Sequence, residues 1–384
     1  MTRRLVSVIA ASAVVSLALA GCGGSSKSAS GTTGGGTSTK DAKTATSAAD
    51  FGGMDALIAA AKKEGTLNTI ALPPTWANYG ELISGFTAKY GIKINNVNPD
   101  GSSGDEITAI KSLKGQTRAP DVVDVGQSFA LSGAASGLYA AYKVSTWDTV
   151  PATQKDADGK WINDYGGYIS IGCDAKKVTS CPTSIKALDD PQYKGKVALN
   201  GDPTSANAAF SAVWAAALAN GGSLDNVQPG IDFFGKLKKD GIFVPVNAKP
   251  ATIESGETPI VLDWDYLNAG YVDTFAAKGV EWKVADPTDA LLPGYYDQAI
   301  SATAPHPAAA RLWEEYLYSD EGQNLWLKGY ARPVRLTAMT TAKTATPELL
   351  AKLPTISGTA TFPTDAQITA AKTLVTQNWA KAVS

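Results

Sequence analysis

The chain has one histidine, three cysteines and three methionines in 384 residues, and each scarcity closes off a chemistry. A lone imidazole, His306, excludes zinc sites built on several histidines and leaves a Ser/His/Asp triad one possible base. It sits in Ala304-Pro305-His306-Pro307, just before a helical pattern, and reads as a helix-entry residue. Basic blocks are missing as well. The 34 Lys and Arg stand against 36 Asp and Glu, a net charge of −2, with no Arg-rich face, so nucleic acid is not an expected partner. After the first twenty residues no stretch approaches 18 consecutive apolar residues, so no later segment is expected to span a bilayer. There is no Gly-x-Ser-x-Gly, no phosphate-binding Gly-Lys-Ser/Thr loop and no dinucleotide fingerprint; no cofactor and no metal are expected. Lys155-Asp156-Ala157-Asp158-Gly159-Lys160 has something of a calcium loop, but Gln154 and Tyr165 stand where the first and closing ligands belong, which leaves a hydrophilic turn.

What is present begins with an address. Met1-Thr2-Arg3-Arg4 is basic and Leu5 to Ala20 is an almost uninterrupted apolar run, short for a membrane span and right for the hydrophobic region of an export signal. The run ends in Leu19-Ala20-Gly21-Cys22, which resembles the lipobox of bacterial lipoproteins. That resemblance implies a signal peptide over 1–21, acylation of Cys22, and a lipid anchor on the extracytoplasmic face of the cell membrane. From Gly23 to about Asp50 the chain is Gly, Ser, Thr, Ala and Lys without a large apolar residue. Such a segment cannot bury enough surface to order itself. Residues 22–50 therefore read as a flexible tether, with a coil dimension of about 30 Å and a full reach of about 90 Å. The remaining cysteines, Cys173 and Cys181, are close in sequence in an exported chain and read as a local disulfide.

About 330 residues follow the tether, enough for a large core or two domains. Leu57, Ile58 and Ala61 predict a short helix closed by Lys62-Lys63-Glu64-Gly65. Leu67 to Leu72 reads as a strand, and Tyr79, Leu82, Ile83, Phe86 and Tyr90 fall at helical spacing before Gly91. Ile92 to Val97 resumes as a strand, Ile107, Ile110 and Leu113 mark a helix, and Ala119-Pro120-Asp121-Val122-Val123-Asp124-Val125 is another strand. Strands alternating with helices in this way predict an α/β fold with a largely parallel sheet, with ligands beyond the carboxyl ends of its strands. Thr258 to Tyr266 is a further buried strand, and its end carries two carboxylates and two aromatics.

The order of these pieces resembles the ABC-transporter solute-binding proteins, in the branch that groups polyamine, ferric-iron and aminoalkylphosphonate binders. The likeness runs through Phe86-Thr87-Ala88-Lys89-Tyr90-Gly91, Pro120-Asp121-Val122-Val123, Asp190-Pro191-Gln192-Tyr193-Lys194-Gly195, Gly256-Glu257-Thr258-Pro259, Ser319-Asp320-Glu321-Gly322 and Gly329-Tyr330-Ala331-Arg332-Pro333. It implies a two-lobed α/β fold of the type II periplasmic-binding-protein kind, with two crossover strands at a hinge. The first crossing is expected near Asp164 to Ile171, where Gly166 and Gly167 would ease the hinge, and the second at Thr258 to Tyr266. Lobe 1 would then comprise 51–169 and 264–384, with lobe 2 inserted as 170–263.

The resemblance also implies a ligand cleft faced by Trp76 and Tyr79, by Ser102 and Ser103, by Asp202, Thr204 and Ser205, and by Trp264, Asp265 and Tyr266 with Tyr295 and Asp297. Trp76-Ala77-Asn78-Tyr79 is similar to the Trp-x-x-Tyr of polyamine binders, and Tyr295-Tyr296-Asp297 to their aromatic-x-Asp. An ammonium held between aromatic faces gains about 0.5 to 2 kcal/mol per face when desolvated. Two departures matter. The turn at Asp202 has no second acid within the next helical turn, and Asp265-Tyr266-Leu267 has one tyrosine where ferric binders have two, which disfavours iron. Serines and a helix start could instead receive the anion of an aminoalkylphosphonate or another zwitterion. The expected protein is a monomeric, lipid-anchored receptor, not an enzyme, that hands a small amine-bearing solute to an ABC permease and its ATPase. The rival is a secreted hydrolase using Asp263 and Asp265, which at even spacing on a strand share a face.

Overall fold

Val122–Gly126 and Ile260–Trp264 are runs of aliphatic and β-branched residues, and both form strands buried along their whole length. The computed structural model describes residues 40–384; the expected signal peptide, Cys22 and the first part of the expected tether lie outside the described residues. In chain order α1 (Met54–Glu64), β1 (Thr66–Ile70), α2 (Tyr79–Tyr90), β2 (Lys93–Val97), α3 (Ser103–Ser112), β3 (Val122–Gly126), α4 (Gln127–Ala135) and β4 (Tyr139–Ala140) lead to the long β5 (Ile162–Asp174). Then come β6 (Val197–Leu199), α5 (Asn207–Ala219), α6 (Gln228–Lys239), β7 (Phe243–Asn247), α7 (Pro250–Ser255), β8 (Ile260–Trp264), α8 (Asp265–Ala276) and β9 (Trp282–Ala285). They are followed by β10 (Pro293–Ser301), α9 (Pro307–Leu317), α10 (Asp320–Lys328), β11 (Arg332–Pro333), α11 (Leu336–Ala342), α12 (Pro347–Leu350) and α13 (Asp365–Ala382). α1 and α2 stop where the sequence says they should, at Gly65 and Gly91, both in the left-handed conformation that glycine adopts without steric cost.

The strand β5 organises the rest. Its first half pairs antiparallel with β10 and β11, and its second half pairs antiparallel with β8 and β9. Around the first half β10 also pairs β3, and around the second β8 continues through β6 to β7, both parallel. Two lobes thus share one strand. The sheet is mixed, not largely parallel as the sequence pattern predicts, because a strand that leaves one lobe and one that returns to it run in opposite directions. β8, expected to make the second crossing, pairs only with strands of the second lobe, and the chain rejoins the first lobe in β10.

Gly166 and Gly167, at the expected hinge, are closely packed. Neither Gly166 nor Gly167 has a positive φ. A Cβ on Gly166 would run into the carbonyl of Gly294, and one on Gly167 into the carboxylate of Asp265, so close packing is what excludes a side chain here. Cys173 and Cys181 are bonded, with Cα atoms 5.9 Å apart; closing so short a loop contributes about 2 to 3 kcal/mol. Residues 41–50, read as tether, are docked on the first lobe. Ala45 and Ala48 are buried, and the Ala45 and Lys43 carbonyls accept hydrogen bonds from the buried Arg311 guanidinium at 2.9 and 3.2 Å. Small side chains and free carbonyls were enough to dock a segment that has no large apolar residue.

Candidate functional site

Between the lobes lies a cavity of about 520 Å³. The first lobe contributes the loop after β1, the residues after β2 and the start of α3; the second contributes the turn after β6 and the segment after β7. The cavity therefore opens beyond the carboxyl ends of the strands, where a sheet of this kind offers unpaired backbone groups. The lobes touch across it. Gly104 N–H donates to the Ser205 carbonyl at 3.1 Å, and Lys249 Nζ lies 3.5 Å from Asp100 Oδ2 at the rim.

Two carboxyls form its inner end. Glu106 projects from the buried face of α3 and Asp124 from the middle of β3, and both line the cavity while being almost wholly buried. Asp124 N–H donates to Glu106 Oε2 at 2.9 Å. Asp124 Oδ2 accepts from Tyr79 Oη at 2.6 Å and Tyr165 Oη at 2.9 Å, whereas its Oδ1 has no hydrogen-bond partner. Burial pushes the Asp124 carboxyl up to about 7 against the pull of the two phenols, and pushes Glu106 well above the ordinary carboxyl range. A buried acceptor without a donor is costly.

Aromatic rings surround that end. Trp76 lines the cavity, its Nε1–H donating to Tyr165 Oη at 2.7 Å. Its ring centre lies 5.6 Å from that of Tyr296, which also lines the cavity, and 6.3 Å from that of Tyr266, both edge-on.

Of the residues expected at the cleft, Trp76, Ser102, Ser103, Asp202 and Ser205 line the cavity. The serines are already engaged. Ser102 caps α3 in a reciprocal box with Asp105, and Ser103 Oγ accepts from Gly126 N–H at 3.0 Å. Thr204 does not line it; its N–H and hydroxyl both turn back to Asp202 Oδ1. Tyr79 does not line the cavity; its hydroxyl donates to Asp124 Oδ2 from behind. Trp264 and Tyr266 are fully buried, stacked with ring centres 6.2 Å apart, and back the ring layer without lining the cavity. Asp265 faces the hinge, where its Oδ2 takes the Arg332 guanidinium at 2.6 Å and its Oδ1 accepts from Tyr168 N–H at 3.0 Å. Tyr295 packs on Phe362 with centres 5.3 Å apart, because alternation along β10 sends Tyr296 to the cavity and its neighbour the other way. Asp297 is buried beyond a bulge in β10 with neither oxygen partnered.

The hydrolase pairing comes apart for a related reason. Asp263 ends in a strand, accepting from Asn200 Nδ2 at 2.8 Å, while Asp265 opens a helix and turns to Arg332. Neither lines the cavity. His306 stands at the start of α9, its N–H and Nδ1–H donating to Asp121 at 2.6 and 2.8 Å. Sequence reasoning missed Glu106, Asp124, Asn200 and Asn207, and within the patch from Tyr295 to Asp297 it singled out the two ends and not Tyr296. For the two acids a signal was there: one carboxylate interrupts the apolar run Val122–Val125, and the other shares a helical face with Ile110. Among the described residues no group of three or more His, Cys, Asp or Glu is placed to hold a metal ion, and no helix is long and apolar enough to cross a membrane.

The chain belongs to the bacterial extracellular solute-binding proteins, whose family model matches residues 118–355. No curated protein sequence matches it significantly. Among solved structures, the periplasmic binding protein P5PA superposes with a TM-score of 0.67 at 18% identity, over 83% of this chain and 100% of that one. The periplasmic binding protein AfuA from Actinobacillus pleuropneumoniae, solved with fructose-6-phosphate, gives 0.65 at 18% identity over 83% of this chain and 98% of its own. Iron-bound HitA from Pseudomonas aeruginosa gives 0.57 at 21% identity over 82% and 99%. These likenesses establish the type II periplasmic-binding-protein fold. A sugar phosphate and an iron ion on one fold leave the choice of solute to the local side chains.

Proposed function

We propose that the protein is the lipid-anchored receptor of an ABC importer, and that it captures a small amine-bearing solute in the interlobe cavity and presents it to the permease. The observation that carries the choice of solute is Asp124. A buried carboxylate oxygen without a donor, in a cavity also lined by a second carboxyl and by Trp76 and Tyr296, is complementary to an ammonium group: the acid neutralises it and the rings replace its water. In this reading lobe 2 runs from about 170 to 292, between the crossings in β5 and β10, and Cys22 carries the anchor.

A zwitterion is the second reading, because Asn207 and Ala208 at the start of α5 also line the cavity and a helix start favours an anionic group. The test is a thermal-shift and calorimetry panel of putrescine, spermidine, 2-aminoethylphosphonate and ferric citrate. The expected result is stabilisation by amines, about 2.7 kcal/mol at a hundred times Kd, and none by ferric citrate. A response to ferric citrate alone would overturn the amine reading.

A further inference from the structure

Whatever joins the two lobes governs how they part. β5 and β10 cross between them, and the chain crosses once more: α13 packs against α6 and α5 of the second lobe and α4 of the first. This helix lies beyond the stretch matched to the family. Its C-terminal half is built into the second lobe, with the Trp379 ring 5.7 Å from Phe234 and 5.9 Å from Phe243, and Asn378 Nδ2 donating to Gln228 Oε1 at 2.9 Å. Its first turn touches both lobes, Gln127 Nε2 of the first donating to Asp365 Oδ1 at 3.1 Å and Gln367 Nε2 donating to Asp225 Oδ1 of the second at 2.9 Å.

Between these ends stands Lys372. Its ammonium lies 4.5 Å from the ring centre of Phe129 on α4 and 5.0 Å from that of Phe210 on α5, one ring from each lobe. It donates to the Pro203 carbonyl at 3.0 Å. Pro203 belongs to the turn after β6 whose Asp202 and Ser205 line the cavity, and the Ser205 carbonyl in turn receives Gly104 N–H from the opposite lobe. Neither α4 nor α5 carries an ionisable side chain; Asp202 is the charged group facing Lys372 from the turn. A desolvated ammonium between two rings is held by their faces, by one carbonyl and by one carboxylate.

We propose that Lys372 is a positioning residue for the cavity: reaching from α13 between a ring of each lobe, it holds the turn at 201–206 against the first lobe and so sets how readily the lobes separate. The proposal rests on the two-lobed fold and not on the identity of the solute.

Hydrogen exchange followed by mass spectrometry on the full mature chain, at pH 7 and without solute, tests it. Burial brings Lys372 down only to about 8, so the ammonium is present at that pH. The informative amides are those of Gly104, Ser205 and Ala206, all hydrogen-bonded here. Lys372→Met is expected to speed their exchange at least tenfold, whereas Lys372→Arg, which keeps a cation able to stack on both rings, stays within threefold of the parent. Unchanged rates in Lys372→Met, or equal acceleration in both variants, would overturn the proposal. Should Lys372→Met fail to fold, Phe129→Leu removes the first-lobe ring alone and is expected to speed the same amides with an unaltered urea midpoint; unaltered rates there also overturn it. Because no solute is added, either outcome leaves the amine reading to its own test.

Discussion

Asp124→Asn separates binding from stability, because the two respond with opposite sign. Holding Asp124 at about 7, when the ordinary value of an aspartate is 3.8, means that ionising it in the folded chain costs about 4 kcal/mol more than in water. For an acid whose folded pKa is raised, that cost is absent below 3.8, grows as pH rises, and is complete above about 7. Asn removes the charge and keeps an oxygen for Tyr79 and Tyr165, whose preference for the charged acceptor is already contained in that net shift. The empty variant is therefore expected to be about 4 kcal/mol more stable than the parent at pH 7.5, with the gain vanishing near pH 4. An ammonium in the cavity loses its charged partner, which costs about 2 kcal/mol or more, roughly thirtyfold in Kd. Urea unfolding without solute at both pH values gives the first quantity, and calorimetry with spermidine or putrescine gives the second. A variant that is less stable at pH 7.5, or that binds the amine within threefold of the parent, would refute the reasoning.

Three further outcomes are expected. Arg332→Met leaves Asp265 buried without its cation and should destabilise by about 3 to 5 kcal/mol in urea, with Asp265→Asn added in the same chain recovering most of it; a loss under about 1 kcal/mol would show that the pair does not hold the hinge. Gly126→Ala places a methyl where the Asn207 side chain of the opposite lobe lies, so the lobes should be propped apart, with a larger radius of gyration by X-ray scattering and weaker amine binding; an unchanged radius rejects this. His306 is raised above its ordinary value of 6.5 by its bond to Asp121, so its contribution is complete below about 6.5 and fades as pH rises through the folded value. His306→Gln should accordingly cost more at pH 5.5 than at pH 8.5, by about 1 kcal/mol, and equal costs would discount the pairing.

The fold was legible because its signals are local and repeat. Gly65 and Gly91 end helices, Val122–Gly126 and Ile260–Trp264 make buried strands, and Cys173 finds Cys181 eight residues on. The route between lobes was not. A buried strand such as β8 looks the same whether it crosses or stays, and only its pairing with β5 and β6 decides. The same limit explains which residues line the cavity. Trp76 follows a strand end and Ser102 starts a helix, both places exposed to a cleft by position alone. Trp264 and Asp265 share that kind of position yet turn inward, one onto Tyr266 and the other onto Arg332, a partner 67 residues away. Asp124 looked like a strand residue and Tyr296 like the neighbour of the aromatic that mattered; which of two adjacent side chains faces the cavity depends on the register of β10 with β3 and β5.

The energetics of the inner end bear on why the lobes should close on a solute at all. The contacts that join them directly are weak: Lys249 and Asp100 are 41% and 66% exposed, a pair worth about 0 to 1 kcal/mol, and Gly104 to Ser205 is a single backbone hydrogen bond. Closing also withdraws Glu106 and Asp124 from water, and with no donor on Asp124 Oδ1 that withdrawal opposes closure. An ammonium at that oxygen reverses the sign, since the charge that was costly to bury becomes the partner that makes the amine's own desolvation tolerable. The solute thus favours the closed form by its differential interaction with that form, which is the condition any ligand-driven closure must meet. Replacing Asp124 by Asn removes the opposition along with the attraction, so an empty Asp124→Asn chain should close more readily than the parent while gaining little from the amine. Scattering curves of the parent and the variant, each with and without spermidine, read this directly: a solute-induced contraction as large in the variant as in the parent would mean that closure draws on some other part of the cavity.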